Sequence, residues 1–408
     1  MSSAATVVTA ETPCALQLRN GGCSGTQRKE EVGWRRIIRN FTPSWFAVTM
    51  GTGIVSILLR NLPYNMPWIS HGVAVGFFIL NIGLFSVFTV MTVVRYALYP
   101  EIWTAMMVHP AQSLFLGCFP MGFATIINMM IFVCSHWGDW LVYLAWGFWW
   151  FDALISVTTC VAVPFIVMHR HKPGLQAVTA AYLLPIVPTV VAAATGGIVA
   201  SALPSRTHAV TTLAVSYILW GLGQCFSALV LALYLHRLTV HSLPPREAIV
   251  SVFLPIGPLG QGGFGILQLG NVALSLFPAG TVDVDPLLRA GEILYVLGIF
   301  LALCMWGFAL AWLSFALLSL AALQKFPFNM GWWGFTFPPG RVGHLHGHAG
   351  TGARQRRVSG PDHGLVAICV PFVACRCCAD AAAGAHGRDV PCAVLERPQR
   401  EGAAGRRG

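Results

Sequence analysis

The stretch LPIGPLGQGGFGILQLG, residues 254–270, combines helix breakers with an otherwise apolar run. Pro255 and Pro258 each remove a backbone donor from any helix that contains them. In a bilayer, such a break is tolerated only where protein or water satisfies the freed backbone groups. We therefore expect this segment to lie in the interior of a membrane protein, away from lipid.

The composition of the whole chain is that of a membrane protein. Of 408 residues, 56% are hydrophobic and only 10% are charged, whereas soluble domains carry about 25% charged residues. Runs that reach the roughly 20 apolar residues of a spanning helix lie near 41–59, 72–94, 111–134, 140–168, 176–201, 209–235, 247–278 and 290–323. A ninth run begins at Met330 and ends near Pro338. The sequence predicts an all-α integral membrane protein with about nine transmembrane helices.

The basic residues indicate the orientation of the chain. Although the formal net charge is +10, these residues lie in short loops and in the C-terminal tail, so we expect no nucleic-acid partner. One set of loops holds Arg35, Arg36, Arg39, Arg95, the run 169–172, Arg237, Arg246 and Lys325. The other set holds Arg60, Arg206, Asp283 and Asp285. The positive-inside rule then predicts a cytoplasmic tail at 1–38 and a transmembrane domain at 39–338.

Helix breakers recur on alternate predicted helices, roughly 65–80 residues apart, which is one helical hairpin per repeat. The prolines are Pro43, Pro120, Pro185, Pro188, Pro255, Pro258 and Pro338, and nearby small residues include Gly51, Gly53, Gly122 and Gly262. This alternation predicts that the odd-numbered helices surround a central path while the even-numbered helices face lipid. The alternative is that the small residues serve close helix packing.

The polar residues of the odd-numbered helices favour an anion, rather than a cation, as the species that passes along the path. They are hydroxyls and amides, namely Thr49, Thr52, Ser56, Gln112, Ser113, Thr125, Asn128, Thr189, Thr195, Gln261, Gln268 and Asn271. Such groups and the N-termini of broken helices donate hydrogen bonds to anions, whereas a cation path more often carries carboxylates. Asp152, on the fourth helix, is the clearest intramembrane acid. It can pair with a neighbouring helix or relay a proton.

Four segments resemble fungal sulfite efflux pumps of the tellurite-resistance and dicarboxylate transporter family, which also contains slow anion channels. They are NFTPSWFAVTMGTGIVSILLRNLPY (40–64), HPAQSLFLGCFPMGFATIIN (109–128), LPIGPLGQGGFGILQLG (254–270) and FPFNMGWWGFTFP (326–338). The resemblance implies ten helices in five hairpins around a pore. It also implies that a phenylalanine of the ninth helix blocks the pore, with Phe337 as first candidate and Phe335 as second.

The same resemblance implies export of sulfite or bisulfite across the plasma membrane, with no cofactor and a possible homo-oligomer. A dicarboxylate permease of the malate type is the alternative, although the path lacks the positive residue that a dianion favours. A membrane enzyme is a third class. We expect no enzyme, because the sequence shows no metal triad, nucleophile–base pair or phosphate loop.

Residues 339–408 depart from the family pattern, and we expect them to be disordered. The apolar run LVAICVPFVACRCC (365–378) is too short to span a bilayer. Cys375, Cys377 and Cys378 lack the spacing of paired zinc ligands, so we expect no metal. A one-nucleotide frame shift from residue 339 is compatible with an apolar continuation, which suggests out-of-frame translation. An inactive, truncated product is then an alternative to a working exporter. The ninth helix would then be incomplete and the tenth missing.

Overall fold

The computed structural model describes residues 33–61, 68–171, 174–241, 244, 249–277 and 289–321. Every regular element in these ranges is helical. Eight apolar helices coincide with the first eight predicted runs: α1 (Phe46–Arg60), α2 (Ala74–Leu98), α3 (Cys118–Met129), α4 (Asp139–Ile166), α5 (Val187–Ala202), α6 (Arg206–His241), α7 (Ile256–Leu276) and α8 (Ala290–Ala321). The predicted ninth helix and the tail after residue 338 lie outside the described residues.

The helices differ in length. Six are long and apolar enough to cross a membrane, counting the helical turns that continue α2, α3, α4 and α7. Helix α1 meets this criterion only together with the preceding helix Trp34–Asn40, from which Pro43–Arg60 bends away by 82°. Helix α5 is shorter, with 16 residues. Both α1 and α5 follow a segment that contains proline. Proline lacks a backbone donor and so limits how far an α-helix can extend toward its N-terminus.

Consecutive helices form hairpins whose odd-numbered members also contact one another. Helices α1 and α2, α3 and α4, α5 and α6, and α7 and α8 pair along the chain. In addition, α1 packs on α3, α3 on α5, and α5 on α7. The odd-numbered helices thus form a continuous inner layer, and each even-numbered helix lies outside it.

Burial confirms this division between inner and outer helices. In the most apolar stretch of each span, 67% of the residues around α3 and 89% of those around α7 are buried, against 17–33% in α2, α4, α6 and α8. Residues Phe46 to Leu59 of α1 and Val187 to Ala200 of α5 are buried without interruption. Large apolar side chains such as Ile218, Leu229 and Phe300 are exposed on the outer helices, as lipid contact requires.

A buried hydrogen-bond network joins the first three helices. The hydroxyl of Thr52 on α1 donates to Oδ1 of Asn81 on α2 over 2.8 Å. Nδ2 of Asn81 in turn donates to the hydroxyl of Thr125 on α3 over 3.0 Å. Asn81 is 1% exposed, so its amide connects two inner helices to an outer one.

Asn81→Ala is expected to lower stability by about 1 kcal/mol, because hydrogen bonds between transmembrane helices contribute roughly 0.6–1.7 kcal/mol. The measurement is thermal unfolding of the purified protein in detergent. Thr92→Ala is the matched control, since Thr92 donates only to the Phe88 carbonyl of its own helix. Equal melting temperatures for the two variants would contradict a role for Asn81 in joining the helices.

Candidate functional site

Each inner helix is preceded by a 3₁₀ segment on its N-terminal side. These segments are Pro43–Trp45, Ser113–Gly117, Ala180–Leu183 and Ile249–Phe253. Six of the seven prolines predicted to mark the inner helices lie within the described residues, in or beside these segments. Pro43 opens its segment, Pro185 follows one, and Pro255 caps α7. Pro120, Pro188 and Pro258 occupy the first turns of α3, α5 and α7. The prolines therefore mark the junction between 3₁₀ and α geometry, where a missing N–H costs little.

Glycines allow the inner helices to approach closely. A Cβ at Gly53 of α1 would collide with Thr125 of α3, and one at Gly122 of α3 would collide with Thr49 of α1. A Cβ at Gly117 would meet the backbone carbonyl of Leu184. These glycines lie where the inner segments approach closely, as the helix-packing alternative expects. Gly262 likewise packs against Gln224 of α6, and Gly51 is buried in α1.

The N-terminal ends of all four inner helices meet at one apolar point. A cavity of about 20 Å³ lies between them, lined by Met50, Met121, Leu183, Leu184, Val187, Leu254 and Gly257. We call this set the apolar constriction. A cavity of this size accommodates about one water molecule, and apolar walls leave such a space dry. The described helices therefore leave little open space at this point.

Beyond the constriction, buried polar side chains lie on all four inner helices, and three of these side chains have polar atoms without a hydrogen-bond partner among the described residues. They are Asn128 of α3, Thr195 of α5 and Gln261 of α7, which are at most 1% exposed. We call these three residues the polar layer. Within the described part of the chain, Oδ1 of Asn128, the hydroxyl of Thr195 and both amide atoms of Gln261 have no hydrogen-bond partner.

Asp152 lies in the middle of α4, on the buried side of that helix, and is 1% exposed. Neither carboxylate oxygen has a hydrogen-bond partner among the described residues. The nearby Trp149 donates from Nε1 to the Ala192 carbonyl of α5, so this side of α4 faces the inner layer. A buried carboxyl group without a hydrogen-bond partner costs several kcal/mol in such a place.

Because a buried polar group without a partner costs about 1–3 kcal/mol, Asp152→Leu is expected to be neutral or to stabilise the protein by an amount of this order. Asp152→Asn, which preserves size and polarity, is expected to unfold at the wild-type temperature. Thermal unfolding in detergent measures both. Strong destabilisation by leucine would show that the carboxyl group has a structural partner.

Other predicted site residues fall outside the described part of the chain. Phe335, Phe337 and Pro338 belong to the ninth run, so the gating prediction stays a prediction. Sequence reasoning missed the apolar constriction, whose members come from four separate segments. A usable signal was present, since Met121, Leu184, Val187, Leu254 and Gly257 each adjoin a proline.

A layer of buried, proline-containing helices inside a layer of exposed apolar helices is the architecture of a membrane transporter or channel. Residues 40–342 match the family described as SLAC1, voltage-dependent anion channel, and the chain belongs to this family. The chain is 53% identical over 326 residues to a sulfite efflux pump SSU1 of Arthroderma otae, covering 78% of this chain and 85% of the relative. The pump of the same name from Trichophyton rubrum is 51% identical over 319 residues, covering 78% and 83%.

A more distant relative carries a different name. The malic acid transport protein of Schizosaccharomyces pombe is 26% identical over 307 residues, covering 74% of this chain and 68% of that protein. These relatives share the family but not a substrate name. The family match ends at residue 342, close to position 338, where the sequence departs from the family pattern.

Proposed function

We propose that this protein exports sulfite or bisulfite across the plasma membrane, along a path between its inner helices. The observation that carries the proposal is the convergence of four buried helices, each with proline at or near its N-terminal end, on one apolar constriction. The choice of substrate is supported by the 53% sequence identity of this chain to a protein named a sulfite efflux pump.

The electrostatics of the inner helices support an anion as the transported species. Apart from Arg60 at the end of α1, the described inner helices carry no charged side chain. Their N-termini converge at the constriction, and a helix N-terminus carries a partial positive charge. An anion is attracted there without being trapped by a lysine or arginine, which suits transport rather than tight binding.

The basic residues support a cytoplasmic N-terminus. Arg35, Arg36 and Arg39 lie on the short helix Trp34–Asn40, which precedes α1 and has no buried residue. With this helix on the cytoplasmic surface, the constriction lies near the cytoplasmic end of the path and the polar layer lies farther out. Sulfite would enter from the cytoplasm, pass the opened constriction and reach the polar layer.

The test is export from a fungal host that lacks its own sulfite exporter. Cells that express this chain are loaded with sulfite, and its appearance in the medium is followed together with survival on sulfite. Expression should accelerate the release and raise tolerance. Release at the rate of cells carrying an empty vector, with the protein present in the plasma membrane, would refute the proposal.

The second candidate is a dicarboxylate permease, which the malic acid relative favours. Purified protein in liposomes separates the two functions, since sulfite and malate can be offered singly and in competition. We expect sulfite flux that excess malate does not inhibit. Malate flux without sulfite flux would establish the alternative, and flux of neither anion would indicate an inactive product.

A further inference from the structure

We propose that two arginines at the outer ends of the inner helices, Arg60 and Arg206, lower the electrostatic barrier that sulfite meets as it leaves the path. The inference rests on the proposed function and adds to it two residues that act on the anion through their charge. The N-terminal ends of the inner helices meet at the constriction, so their C-terminal ends lie at the opposite end of the path.

The C-terminal end of an α-helix repels an anion. Its last carbonyl groups lack partners within the helix, and the helix dipole adds about half a negative elementary charge there. The described inner helices end at Arg60, Met129, Ala202 and Leu276, and the π-helical segment Met130–Cys134 continues α3. Without nearby cations, these helix ends would oppose the exit of an anion.

Arg60 places a guanidinium group where two inner helices end. It is the last residue of α1, and its Nη2 donates to the carbonyl of Phe132, in the segment that continues α3, over 3.3 Å. Nη1 donates to Nε2 of His71 over 3.3 Å, since a guanidinium has donors but no acceptor. The two bonds hold the charge of Arg60 at the outer ends of α1 and α3.

Arg206 occupies the corresponding position for the other two inner helices. It begins α6, four residues after α5 ends at Ala202. Its Nη2 donates to the carbonyl of Leu276, the last residue of α7, over 2.9 Å. One arginine therefore lies at the ends of α1 and α3, and the other lies at the ends of α5 and α7.

Both guanidinium groups remain accessible to a passing anion. Arg206 is exposed and Arg60 is half-buried. With partners among the described residues, Arg60 uses two of the five N–H donors of a guanidinium and Arg206 uses one. The remaining donors can face an oxyanion, and two full positive charges offset the partial negative charges of the helix ends.

Other charged residues at this end of the described structure belong to the outer helices. Asp139 and Glu292 lie in the first turns of α4 and α8, and Arg289 immediately precedes α8. Among the described residues, these three side chains form no hydrogen bond to an inner helix, in contrast to Arg60 and Arg206. The direct bond to the end of an inner helix therefore distinguishes the two arginines.

The experiment measures sulfite flux in liposomes for Arg60→Gln, Arg206→Gln and the double variant, with potassium gluconate setting the ionic strength on both sides. At low ionic strength each single variant should reduce the flux about threefold, the effect of one charge roughly 6 Å from a monovalent anion in water, and the double variant about tenfold. In about 1 M salt, where the Debye length is about 3 Å, the wild-type flux should fall to that of the variants.

Two kinds of control accompany these variants. Arg60→Lys and Arg206→Lys keep the charge and should retain most of the wild-type flux at low ionic strength. Arg170→Gln removes an exposed arginine from the segment Val167–His171, which continues the outer helix α4 at the other end of the molecule. Its flux should equal that of the wild type.

Wild-type flux in the double variant at low ionic strength would overturn the inference while leaving sulfite export intact. A loss that persists at high ionic strength, or that the lysine variants share, would indicate a structural role and would also overturn it. Arg206→Gln serves if the double variant does not fold, because Arg206 is exposed. Absence of sulfite flux in the wild-type protein would instead refute the proposed function.

Discussion

Gly117→Ala is expected to remove most of the folded protein and, with it, sulfite export. Gly117 ends the 3₁₀ segment before α3, and a Cβ there would overlap the backbone carbonyl of Leu184 and crowd Pro185. A main-chain carbonyl cannot rotate away as a flexible side chain can. Overpacking of this kind costs about 1–3 kcal/mol or more, and here it would separate two segments that flank the constriction.

Gly147→Ala is the matched control for this prediction. Gly147 lies on the outer helix α4, and a Cβ there meets no atom within 4 Å. The yield of monodisperse protein after solubilisation and the rate of sulfite release are compared for both variants. If Gly117→Ala matches Gly147→Ala in both measurements, the close approach of the two inner segments is not required.

Met121→Ala is expected to increase sulfite flux. Met121 projects into the apolar constriction from the first turn of α3, and its truncation enlarges the space between the N-terminal ends of the inner helices. A barrier lower by about 1.4 kcal/mol corresponds to a tenfold higher rate, and we expect an increase of roughly this order. The cost is stability, because removing a buried Met side chain typically destabilises by about 2–5 kcal/mol.

Flux per folded molecule in liposomes is the relevant measurement for Met121→Ala. Met168→Ala provides the control, since Met168 is 68% exposed beyond the end of α4. Gly257→Leu should act in the opposite direction by filling the constriction. Wild-type flux in a folded Met121→Ala variant would show that the constriction does not limit transport.

The inner and outer layers could be predicted from the sequence because proline is costly in a lipid-facing helix. The recurrence of Pro43, Pro120, Pro188 and Pro258 on alternate helices was enough to assign α1, α3, α5 and α7 to the interior, and burial agrees. The positions of the spans followed from apolar length alone. These features depend on one residue type or on local composition, which a single sequence displays directly.

The constriction could not be predicted in the same way. Its members are separated by up to about two hundred residues in the chain, and no local pattern indicates that Met50 and Leu254 line one cavity. The 3₁₀ segments were also missed, since hydropathy does not distinguish them from α-helix. The polar layer was present among the polar residues of the odd-numbered helices. The sequence did not show that Asn128, Thr195 and Gln261 lack partners while Thr52 and Thr125 have them.

The most direct measurement is the reactivity of single cysteines in a variant whose native cysteines have been replaced. Gln261→Cys and Leu229→Cys are treated with a small, charged methanethiosulfonate reagent, which reacts with water-exposed thiolates. Leu229 is 67% exposed on the outer helix α6. If the inner helices enclose an aqueous anion path, Gln261→Cys will react, sulfite will slow the reaction, and Leu229→Cys will stay unmodified. An inert Gln261→Cys in a variant that still exports sulfite would contradict the existence of that path.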